Sequence, residues 1–118
     1  MRILFVGAVE FSLRSLEKLI SMNVDIVGVC TKEASSFNSD FADLRPVCEL
    51  YSIPCSYVED VNSQQNIKWI QSLCPDIMFC FGWSSLVKKE LLSIPPMGVV
   101  GFHPAKLPEN RGRHPLIW

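Results

Sequence analysis

Apolar runs and helix-spaced apolar positions alternate along the chain. Ile3-Leu4-Phe5-Val6 is a continuous apolar run and predicts a strand buried on both faces. Ser12 is a candidate cap for a helix that carries Leu13, Leu16 and Ile20 on one side. Val24 to Cys30 predicts a second strand, and the polar stretch Thr31 to Phe41 a loop. A helix is expected from about Asp43, with Leu44, Val47, Cys48 and Tyr51 facing inward and Pro46 in its first turn. Ile53 to Val58 predicts a short strand, and its proline points to an edge position. Asn62 and Gln65 resemble a capping box ahead of a helix bearing Ile67, Ile70 and Leu73. Asp76 to Phe81 predicts a fourth strand, Ser84 to Leu92 a helix closed by Pro95-Pro96, and Gly98 to Phe102 a fifth strand. Arg113 to Trp118 reads as the start of another helix whose Leu-Ile-Trp needs a partner. The expectation is therefore a chain that is the front part of a longer enzyme.

Strands apolar on both faces, alternating with helices, imply a parallel sheet covered on each side: an α/β, Rossmann-like open sheet in one unit over 1–118, with no second domain. Composition agrees with a packed core. Of 118 residues, 48% are hydrophobic and 19% charged, too apolar for a disordered chain. Eleven Lys and Arg against twelve Asp and Glu argue against a general electrostatic grip on nucleic acid. No apolar run is long enough for a membrane helix, and no cleavage signal follows the first strand, so cytoplasm is the expected location. The five cysteines are odd in number and form no CxxC, which argues against a zinc site or a disulfide framework. Cys30 and Cys80 lie within apolar runs and are expected to act as small hydrophobes.

In such a sheet, ligands bind at the carboxyl ends of the strands. Three segments stand there. Gly7-Ala8-Val9-Glu10-Phe11 has one glycine and matches neither the G-x-G-x-x-G nor the P-loop pattern, so NAD or ATP is disfavoured at this turn. In Phe81-Gly82-Trp83-Ser84-Ser85-Leu86-Val87, Gly82 permits a sharp turn, and Trp83, Leu86 and Val87 could wall a slot for a flat heteroaromatic ring. Periodicity alone favours the simpler reading, that Trp83 and Leu86 pack on the sheet. The third segment, Gly101 to Pro115, places His103 at a strand's end and follows it with Lys106, Arg111, Arg113 and His114. A lone histidine is more often structural, but imidazole titrates near neutral pH and this is where a parallel sheet presents reactive groups. The basic residues suit an anionic substrate or simply solvent, and Arg111-Gly112 also suits a tight turn.

These residues resemble the N-terminal domain of the 10-formyltetrahydrofolate-dependent formyltransferases, which act on methionyl-tRNA, glycinamide ribonucleotide and amino sugars. The opening Met1 to Phe11, Pro75-Asp76 with its strand, and above all His103-Pro104-Ala105-Lys106-Leu107-Pro108-Glu109-Asn110-Arg111-Gly112 are similar to family motifs. Arg113 to Trp118 looks most like the aminoarabinose formyltransferases. The resemblance implies attack of a primary amine on the formyl carbon of 10-formyltetrahydrofolate, with no metal. His103 would stabilise the tetrahedral oxyanion. The pteridine would enter near Phe81 to Val87, Ala105, Lys106, Leu107 and Pro108 would shape the wall between folate and acceptor, and Arg113 would contact folate or substrate. Asn110, Arg111 and Gly112 would lie on the acceptor side, with Lys106, Arg111 and Arg113 as a patch for a nucleotide-sugar diphosphate. The expected acceptor is thus an amino sugar nucleotide, with methionyl-tRNA as the alternative.

Two departures stand out. Gly101 occupies the position where the family usually has Asn, and the family's later Asp would fall beyond Trp118, so the chain alone is expected to be inactive. Asn110 is a candidate to supply the missing amide. A non-catalytic folate-binding or regulatory module on the same fold is the competing class.

Overall fold

The computed structural model describes residues 1–34 and 39–102, together with the backbone pairing of 116–117. Five parallel strands are β1 (Arg2–Val6), β2 (Asp25–Thr31), β3 (Cys55–Tyr57), β4 (Ile77–Phe81) and β5 (Val99–Phe102). Helices α1 (Glu10–Ser21), α2 (Arg45–Leu50), α3 (Gln64–Leu73) and α4 (Lys89–Leu92) connect them. A sixth strand, β6 (Leu116–Ile117), runs antiparallel along β5. The sheet order is β3-β2-β1-β4-β5-β6, so the topology reverses direction between β1 and β4. The expected open, doubly covered α/β sheet is present.

Both faces carry a core because β1 alternates. Ile3 and Phe5 pack with Leu16 of α1 and Cys48 of α2, while Leu4 and Val6 pack with Ile67 and Ile70 of α3 and Leu91 of α4. Strand β2 contains a bulge: Ile3 pairs with Ile26, yet Leu4 pairs with Gly28. The extra residue shifts the alternation, which is why Ile26 and Val29 share one face despite odd spacing. It also turns Gly28 toward α3, where a Cβ would crowd Leu73 and Trp69. At the amino end of the sheet, the Arg2 guanidinium donates to the carbonyls of Leu73 and Cys74, the last carbonyls of α3, at 3.2 and 3.1 Å. A cation there complements the helix dipole.

Several expected boundaries move. Ser12 is not the cap of α1 but sits in its first turn, where its hydroxyl accepts the Val9 N–H at 3.2 Å. Helix α2 ends earlier than expected and leaves Tyr51 54% exposed rather than facing inward, because Ser52 takes a left-handed conformation (φ 56°) that ends the turn. Helix α3 is capped by Ser63, whose side chain accepts the Asn66 N–H, so Asn62 is not the cap. The stretch Ser84–Lys88 is not helical and α4 is a single turn, since Lys88 is extended where the helix starts and Val87 before it is buried in the core. Leu116–Ile117 forms a strand, not the start of a helix, because the free edge of β5 offers backbone pairing. The short edge position of β3 is as its proline suggests.

Candidate active site at the carboxyl edge of the sheet

The carboxyl ends of β1 and β4 meet at the reversal point, where an open α/β sheet usually forms its crevice. Here protein atoms fill the junction. Ser12, fully buried, donates its hydroxyl to the Phe81 carbonyl at 2.5 Å and accepts from Val9. Gly7 donates its N–H to the Cys30 carbonyl (3.1 Å), and Gly82 donates to the Phe102 carbonyl (2.9 Å). A Cβ on Gly7 would collide with the Phe81 carbonyl and Ser12. One on Gly82 would collide with Ser12 and Val9, and Gly82 also needs φ +76°. Both glycines thus serve close backbone approach. Beneath them lie Cys30 and Cys80, whose thiols burial pushes up from 9.0 to about 12, so both behave as the small hydrophobes expected.

Beyond Gly82 the chain moves away from the sheet. Trp83 is 6% exposed and packs in the core that contains Val61, Val87 and Leu91. Lys32, at the carboxyl end of β2, holds its ammonium 4.9 Å from the centre of the Trp83 ring. Trp83 Nε1 is buried without a partner among the described residues. Ser84, Ser85 and Leu86 are exposed, Leu86 by 66%, while Val87 is buried. The segment Phe81–Val87 therefore splits: Trp83 and Val87 form its floor, as the simpler reading of Trp83 held, and 84–86 form an exposed rim. Leu86 does not pack on the sheet.

The rim is braced from a neighbouring loop. The Asn62 side chain donates Nδ2–H to the Leu86 carbonyl at 2.8 Å and accepts the Lys88 N–H at 2.7 Å. The Asn62 backbone is itself fixed by an N–H donated to Asp60 Oδ1 at 2.9 Å. On the other side of the sheet, Phe11 stacks on Phe81 at 6.0 Å and meets Phe102 at a tilt at 5.0 Å, ring centre to ring centre. This aromatic group seats the ends of β4 and β5, which are in register at Phe81 and Phe102. The chain thus leaves β5 beside the start of the Gly82 turn. His103, Ala105, Lys106, Leu107, Pro108, Asn110, Arg111, Gly112 and Arg113 lie outside the described residues. Among the described residues no group of three His, Cys, Asp or Glu is placed to hold a metal, and no helix is long and apolar enough to cross a membrane.

Sequence reasoning missed Ser12's tertiary role, Lys32 and Asn62. Ser12 and Asn62 stand out in the sequence only as helix caps, and Lys32 not at all. Asn62 bonds residues 24 and 26 positions away, and no local pattern encodes that distance.

Fold and edge together define an α/β protein with an open parallel sheet and no dinucleotide fingerprint after its first strand. The family model described as "Formyl transferase" matches residues 1–118, and the chain belongs to that family. It is 32% identical over its whole length to a methionyl-tRNA formyltransferase of Geotalea daltonii, and covers 39% of that protein. A methionyl-tRNA formyltransferase of Thermotoga sp. is 29% identical over 98% of the chain, which covers 38% of it. The chain thus spans under half the length of these relatives. In fold it matches the phosphoribosylglycinamide formyltransferase of Anaplasma phagocytophilum (TM-score 0.67, 20% identity, 96% of this chain, 54% of that one). It also matches glycinamide ribonucleotide transformylase 1 of Geobacillus kaustophilus (TM-score 0.67, 14% identity, 95% and 62%).

Proposed function

We propose that the protein carrying this chain transfers a formyl group from 10-formyltetrahydrofolate to a primary amine. The observation that carries this reading is the family match across all of 1–118, which includes the His103 motif. The position of the rim supports it: Ser84–Val87 stands at the carboxyl end of β4, next to the end of β5 that leads into His103.

The amine nitrogen attacks the formyl carbon, and the carbonyl π pair moves to oxygen. His103 donates a hydrogen bond to that oxyanion. Collapse breaks the bond from carbon to N10, and the proton lost by the amine passes to N10. The pterin lies against the rim Ser84–Val87 over the Trp83 floor, Ala105–Pro108 separate folate from acceptor, and Arg113 contacts the folate or the acceptor. Gly101 brings no side chain to the position where the family usually has Asn. Loss of one such donor typically costs ~2.7–4 kcal/mol of transition-state stabilisation. Asn110 is the residue assigned to replace it.

Two acceptors are carried forward. Lys106, Arg111 and Arg113, with Asn110 and Gly112, suit the diphosphate of an amino sugar nucleotide. The names of the relatives favour methionyl-tRNA. In the full-length protein, release of tetrahydrofolate with each amine decides between them. His103→Ala is expected to lower kcat by at least ~10²-fold with folate binding retained. Unchanged turnover in that variant removes the reading. Folate binding without turnover of any amine instead supports the non-catalytic module.

A further inference from the structure

The Asn62 amide pairs with the rim in the manner of a neighbouring strand. It accepts from the N–H of Lys88 and donates to the C=O of Leu86, two residues earlier. In extended chain, the N–H and C=O of one residue point to one edge and those of the next residue to the other. The local chain is extended: Lys88 has φ −87° and ψ 168°, and side chains alternate from exposed Leu86 to buried Val87 to exposed Lys88. Asn62 therefore occupies one edge of 86–88. The other edge carries the N–H and C=O of Val87, and neither has a hydrogen-bond partner among the described residues.

A donor and an acceptor side by side on one edge match the acceptor and donor that an aminopyrimidinone presents side by side, a ring nitrogen next to its amino group. We propose that Asn62 is a positioning residue that holds this edge toward the aminopyrimidinone side of the pterin. It touches the rim and not the ligand. The inference rests on the formyl-transfer reading above and adds the residue that orders its folate subsite. The contact is specific in form: a hydrophobic or charged side chain at 62 could pack against the loop but could not satisfy a donor and an acceptor on one edge. Its own backbone is held by Asp60, so the amide is presented rather than searching for the loop.

The test uses the full-length protein, with 5-formyltetrahydrofolate as a stable reduced-folate probe in calorimetry and 10-formyltetrahydrofolate in turnover. Asn62→Ala is expected to weaken probe binding and raise the folate KM by about tenfold, the loss of one to two modest hydrogen bonds, with kcat changed by less than about twofold. Hydrogen exchange at the Lys88 amide should accelerate. Asn62→Asp, which keeps the acceptor and loses the donor, should fall between the two. Gln64→Ala, which removes an exposed contact to Glu90 between the same two segments (3.0 Å), should bind as wild type does. Wild-type affinity in Asn62→Ala overturns the proposal. So does an equal loss of kcat and affinity with a lowered Tm in both Asn62→Ala and Gln64→Ala, since that marks general loosening. If the wild-type protein does not bind the probe, the formyl-transfer reading itself fails and the proposal falls with it.

Discussion

The turns after β1 and β4 lie side by side, each opens with a glycine, and they do opposite things. The turn at Gly7 is packed shut: Ser12 fills the space above it, and the chain runs directly into α1. The turn at Gly82 uses a positive φ to leave the sheet, and its rim is braced from outside by Asn62. The carboxyl edge of a doubly wound sheet is usually treated as one continuous crevice. Here one half is plugged by a serine hydroxyl and the other half is raised on a tryptophan floor. A nucleotide pyrophosphate laid over the first turn would have to displace Ser12. A flat ring laid on the second meets backbone groups without a partner among the described residues.

Substitutions can break this contrast. Gly82→Ala should have the largest effect, about 4 kcal/mol of lost stability by urea unfolding, because it adds a left-handed strain to a collision with Ser12 and Val9. Alkaline pH should come next. The thiols of Cys30 and Cys80 ionise near 9.0 in the unfolded chain but only near 12 when folded. Raised folded values leave stability untouched below pH 9 and erode it as pH climbs from 9 toward 12. At pH 10 the loss is ~1.4 kcal/mol per thiol, measured against a melt at pH 8. Ser12→Ala should be the mildest, about 1–2 kcal/mol, since it unpairs the Phe81 carbonyl and the Val9 N–H without changing shape much. Folate affinity should hold in Ser12→Ala. A large loss there would mean that the two turns act as a single site.

The sheet was legible because its strands are apolar on both faces, a signal that survives in one dimension. Ile3–Val6 and Met78–Phe81 needed no tertiary knowledge. Capping was less legible: α1 starts from Val9, ahead of the expected Ser12, and α3 from Ser63, just after the expected Asn62, and only the backbone decides which residue caps. The span Ser84–Leu92 read as a helix because Val87, Leu91 and Leu92 lie at helical spacing, yet Val87 enters the core from outside the helix. Leu116–Ile117 is too short to show a period of two, so its pairing with β5 was invisible. The candidate site was legible as a place on the sheet, the ends of β4 and β5, while its motif residues from His103 onward lie outside the described residues. The Asn62 contact that braces it was not, because it joins loops distant in sequence.

Strand β6 pairs Leu116 with Gly101 and Ile117 with Val100. Positions 102 and 116 are therefore held one strand-width apart on neighbouring strands, and hydrogen bonds of the sheet set that spacing. A substitution that weakens the Val100–Ile117 pairing would free position 116 while 102 stays anchored between β4 and the core, so the outermost strand alone carries the constraint.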